Sequence, residues 1–202
     1  MYKGNSSRII PIIIIIIVIA IAVAAIVSIG RAVFSGGDRS TTTEEVDVAR
    51  TNLLKTSANH SVRMTTRGPI VADENFRSYQ VTVSPSSRNI TTYSGYLSKV
   101  IKSKPLSNNV AAYEEFVNAL DKANMTVGTP FTGEDDNTLG ICATGHVYEF
   151  DVLVDGKSVQ HLWTSTCKGS KGSFRASVAQ VQNLFLTQIP GSEDYVRSIS
   201  LD

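Results

Sequence analysis

Two cysteines, three histidines and one acidic run are the residues whose types and spacing could do chemistry in this chain. Cys142 and Cys167 bracket a segment holding His146 and His161, and Thr166-Cys167 is followed by Arg175. A thiol beside an imidazole becomes a nucleophile when its proton is easily lost. Two sulfurs at a suitable distance instead close a disulfide, which persists outside a reducing cytosol. Glu134-Asp135-Asp136-Asn137 offers oxygen ligands to a hard cation. It lacks the alternating spacing and fixed glycine of a calcium loop, so it reads as a solvated acidic loop. Residues 169–173, Gly-Ser-Lys-Gly-Ser, lack the spacing of a phosphate loop. No catalytic, cofactor-binding or metal residue is assigned, and no cofactor is expected.

The cysteines must be positioned by what lies between them. His146–Val154 and Lys157–Ser165 flank Asp155-Gly156, a strong two-residue hairpin signal. A simple two-residue turn pairs Val152 with Val159, Phe150 with His161 and Tyr148 with Trp163, all on one apolar face. His161 then reads as a core or edge histidine. Cys142 and Cys167 fall on that same face as diagonal neighbours, and an irregularity near Gly145 would bring them opposite. A Cys142–Cys167 disulfide is therefore expected. Closing its 26-residue loop adds about 3 kcal/mol by loop entropy.

The rest of the domain alternates in the same manner. Val62, Met64 and Thr66, then Tyr79, Val81 and Val83, recur at every second position. They predict strands that return through Asn89–Tyr93 as a meander over 61–93. Residues 96–106 are ambiguous: Leu97, Val100 and Ile101 have helical spacing, and Pro105 ends the run. Tyr113, Phe116, Val117 and Leu120 predict a helix over 109–123. Phe174, Val178, Val181, Leu184 and Phe185 predict a second over 174–189, ended by Pro190-Gly191. A shorter helix is expected over 44–57, with Val46, Ala49 and Leu53 inward. The last residues read as polar and loose. The expected fold class is α+β: one domain, 44–202, with an antiparallel sheet and two amphipathic helices on one face.

Ile9–Ile29 is a run of 21 residues without a charge. As a helix it spans about 30 Å, the thickness of a bilayer's hydrocarbon core. It is expected to be an uncleaved single-pass anchor in the lipid bilayer, preceded by a cytoplasmic tail (1–8) and followed by a polar linker (30–43). Flanking charges barely orient it: Lys3 and Arg8 on one side, Arg31 and Arg39 on the other. The expected disulfide places the domain outside the cytoplasm. Residues 40–202 carry 15 Lys and Arg against 17 Asp and Glu. No basic patch with interleaved aromatics marks a nucleic-acid interface. Asn-x-Ser/Thr occurs at Asn5, Asn59, Asn89 and Asn124.

Two family comparisons suggest alternatives. Thr166-Cys167 at a strand end, with Arg175 downstream, is similar to the arrangement in sortase transpeptidases. The histidines depart from that pattern, since His146 and His161 share the hairpin with Cys167. An apolar N-terminal helix before an α+β head is similar to pilins, and Gly4 is present, but no acidic residue follows inside the run. The expected role is non-enzymatic: binding an envelope or extracellular protein partner, or assembly in the cell envelope.

Overall fold

The computed structural model describes residues 48–197. The apolar run Ile9–Ile29, the linker, Val46 and the last five residues lie outside them. Among the described residues no helix is long and apolar enough to cross a membrane.

The fold is α+β. Six strands form one antiparallel sheet: β1 (His60–Arg67), β2 (Arg77–Val83), β3 (Ser87–Ser94), β4 (Lys99–Ser107), β5 (Val147–Val154) and β6 (Lys157–Ser165). Their order is β4-β3-β2-β1-β5-β6. Among the described residues four helices accompany the sheet: α1 (residues 48–53), α2 (Val110–Lys122), α3 (Val178–Thr187) and α4 (Ser192–Arg197). The meander runs outward from β1 to the β4 edge. Helix α2 then carries the chain back, and β5 pairs with β1 on its free side, Val62 opposite Val152 and Met64 opposite Phe150. That pairing makes β1 the centre of the sheet.

One face of the sheet is the core. Val62, Met64, Tyr79, Val81, Ile90, Phe150, Val152 and Leu162 are buried there beneath Phe116, Leu120, Val181 and Phe185 of the helices. Phe116 and Phe185 meet edge to face, 5.3 Å between ring centres, which locks α2 against α3. Each such side chain contributes about 1.5–3 kcal/mol on burial. Asn109 and Ser177 cap α2 and α3 through side-chain oxygens that accept from Ala112 and Gln180 amides. Helix α3 starts four residues later than the apolar spacing predicts. Phe174 instead bridges Gly128 in extended conformation. The C-terminal residues, expected to be loose, include α4, held by a buried Tyr195. The ring of Tyr195 lies 4.1 Å beneath Lys102 Nζ.

The hairpin register differs from the simple expectation. Val154↔Lys157 and Leu153↔Ser158 obey it, but the register then shifts. Val152 faces Gln160, Phe150 faces Leu162 and Tyr148 faces Thr164. Val159 takes up the extra position and is 49% exposed. The physical reason is burial: the shift turns Leu162 into the core and moves His161 and Trp163 to the opposite face. Residues 96–106 also resolve against their helical spacing. They form a tight turn and edge strand β4, where Pro105 and three lysines discourage further pairing. At the other edge, the amides of Ser173 and Phe174 donate to Trp163 O, covering the middle of β6.

Candidate functional site on the polar sheet face

The face opposite the helices is built by the alternate residues of the same strands. Arg63, Thr65 and Arg67 of β1 stand beside Glu149 and Asp151 of β5 and His161 of β6. Arg63 lies opposite Asp151, and its Nη2 is 3.0 Å from Oδ2. Arg67 Nε donates to Glu149 Oε1 at 2.6 Å, and Thr138 Oγ1 donates to the same oxygen at 2.9 Å. Ser158 Oγ donates to Asp151 Oδ1 at 2.8 Å. The two carboxylates are almost fully buried, with side-chain exposures of 9% and 3%. Their charges are tolerable there because each has both an arginine and a hydroxyl donor.

His161 ties this network to the acidic loop. Its Nδ1 is 2.9 Å from Asp136 Oδ1, and its Nε2 is 3.9 Å from Glu149 Oε2. Asp136 closes a 3₁₀ turn, Gly133–Asp136, whose other two acidic residues, Glu134 and Asp135, stay exposed. The acidic run thus supplies one anchoring carboxylate to the sheet. Among the described residues, no group of three or more His, Cys, Asp or Glu is placed to hold a metal ion.

Over β2–β4 the same face is neutral. Tyr93 OH donates to Gln80 Oε1 at 3.2 Å, Asn89 Nδ2 donates to Thr91 Oγ1 at 2.8 Å, and Ser103 Oγ donates to Asn89 Oδ1 at 3.0 Å. The segment 133–142 lies over the β5–β6 side, while Arg63, Gln80, Asn89 and Tyr93 remain partly exposed.

The cysteines form a disulfide, with Cα atoms 5.4 Å apart. It sits beyond the strand ends and packs with Val147, Trp163, Phe131 and Ile141, a small apolar cluster separate from the main core. The expectation that both cysteines face the main core is therefore corrected. The cause is the bulge at Val159, which puts Trp163 on the opposite face. Gly145 lets the strands approach there: a Cβ at that position would collide with Thr166 Oγ1 and press on Cys142 Sγ.

The other sequence candidates are dispersed. Arg175 donates to the carbonyls of Gly172 and Phe174. Thr166 Oγ1 accepts from the His146 amide. His60 begins β1, opposite Val154, at the far end of the sheet from the disulfide. Sequence reasoning placed Glu149 and Asp151 on the wet side but missed Arg63 and Arg67. Their alternation with Val62, Met64 and Thr66 was visible; the β1–β5 pairing that gives them partners was not. No protein-family model matches the chain, and no curated protein matches it in sequence.

Proposed function

We propose that this protein is a single-pass, membrane-anchored head that lies outside the cytoplasm and binds a protein partner of the cell envelope through the polar face of its sheet, without catalysis. The carrying observation is the asymmetry of the sheet. All the core helices pack on one face, and the other presents partly exposed side chains held by hydrogen bonds: Arg63, Gln80, Asn89 and Tyr93. Rigid, partly exposed polar groups on strands suit recognition, because little side-chain freedom remains to be lost on binding.

Two further observations support the reading. The bonded pair Cys142–Cys167 fits an oxidising compartment, and the uncharged run Ile9–Ile29 fits a tether. A thiol-dependent transpeptidase is less well supported, because the Cys167 sulfur is committed to Cys142. Protease added to intact cells should remove the head and leave the anchor. Full protection would place the head in the cytoplasm and overturn the proposal.

A further inference from the structure

Of the ten large hydrophobic residues exposed in the described part, six gather at one end of the sheet: Ile70, Val71, Tyr96, Val100, Ile101 and Leu139. The register brings them together. β1 ends at Arg67 opposite Ser78 and Val147, and Ser94 of β3 faces both Arg77 and Lys99. The β1–β2 loop, the β3–β4 turn and the loop before β5 therefore meet there. Ile70, Tyr96 and Leu139 line one small cleft of about 30 Å³. The opposite end carries polar turns, Ser84-Pro85-Ser86-Ser87 and Asp155-Gly156.

This end is held in shape at a conformational cost. Gly95, Tyr96 and Leu97 have φ of +64°, +52° and +71° in succession. Two of the three carry side chains, which disfavour the left-handed backbone region. The turn holds Tyr96 outward, stacked on Phe76 at 3.8 Å, with its hydroxyl donating to Val71 O at 2.8 Å. The Ile70 amide donates to Ala143 O at 2.9 Å, fixing the β1–β2 loop to the disulfide-bearing segment.

We infer that this apolar end inserts into the interfacial layer of the bilayer to which the chain is tethered; the inference rests on the membrane-anchor reading above. A lipid surface is the occupant the chain itself supplies. Only 18 residues, 30–47, separate Ile29 from the described head, and fully extended they reach about 60 Å. The head thus samples the membrane surface at high effective concentration. Exposed aliphatic side chains around a tyrosine suit the boundary between headgroup and acyl chain. Arg77, Lys99, Lys168 and Lys171 at this end are balanced by Asp73, Glu74, Glu134 and Asp135. The contact is therefore apolar and does not require anionic lipid.

The test uses the full chain reconstituted in phosphatidylcholine vesicles that carry a photoactivatable acyl chain, with labelled residues mapped by mass spectrometry. Label is expected in 9–29 and at 70–71, 96–101 and 139, several-fold above the level at 84–87 and 155–156. The double variant Val71→Asp, Leu139→Asp should lower label at the apolar end at least threefold and leave 9–29 unchanged. Label confined to 9–29 overturns the insertion and leaves the tether standing. Label at the apolar end without label in 9–29 overturns the tether and upholds the lipid contact. Cross-links between the apolar ends of two molecules, in place of lipid label, assign the surface to a second copy and overturn the proposal.

Discussion

Arg67 Nε lies 2.6 Å from Glu149 Oε1 across the boundary between β1 and β5, with both side chains largely withdrawn from water. The pair joins the meander to the hairpin on the polar face, as Met64 and Phe150 join them on the core face. Removing one partner leaves a desolvated charge. Glu149→Gln should destabilise the head by about 2–3 kcal/mol, while Arg67→Met with Glu149→Leu should recover most of that loss. Urea unfolding followed by fluorescence of Trp163, the only tryptophan of the chain, measures both. Equal losses in the single and double variants would contradict the pairing.

The register of the hairpin has its own signature. Leu162 is buried in the core and Val159 is exposed. Leu162→Ala should cost about 2–5 kcal/mol, whereas Val159→Ser should cost no more than about 0.5 kcal/mol. The same unfolding curves decide it. The simple two-residue register would reverse the two values.

That contrast also marks where the sequence stops being legible. Alternation identified β1, β2, β3 and both hairpin strands within a residue or two, because a half-buried strand writes its pattern locally. The bulge at Val159 is invisible to that pattern, since it is stabilised by Leu162 reaching a core made by distant helices. Leu97, Val100 and Ile101 left their segment ambiguous for the converse reason. Their spacing is helical, but at a sheet edge exposed aliphatic residues need not follow a strand period. Glu149 and Asp151 were visible as side chains. The site they belong to needed the non-local pairing of β1 with β5.

Gly172 has φ of +66°, and a Cβ there would collide with Trp163 O. Gly172→Ala should therefore destabilise the head by about 1–3 kcal/mol and shift Trp163 emission, because the loop covering β6 must move. An unchanged emission maximum and melting temperature would contradict this packing.

Cys142 and Cys167 should resist alkylation in the native protein until reductant is added. Reduction should lower stability by about 3 kcal/mol for a sequence separation of 25 residues. Rapid alkylation of both without reductant would contradict the disulfide.

Acid should loosen the contact between α1 and α2. A hydrogen bond from Arg50 holds the Asp121 carboxyl below its ordinary value of 3.8. A carboxyl depressed in the folded state adds stability above the unfolded value, and that stability fades as pH falls through the folded value. Between pH 6 and pH 3 the urea midpoint should fall further in the wild type than in Arg50→Gln. Parallel falls would contradict the assignment.

Recognition through the polar sheet face is tested most directly by a photoreactive side chain at Asn89, on that face, compared with one at Glu115, exposed on α2. The two are irradiated in intact membranes. The account predicts a discrete cross-linked protein from position 89 and none from position 115. No adduct at 89, or the same adducts from both positions, would contradict it.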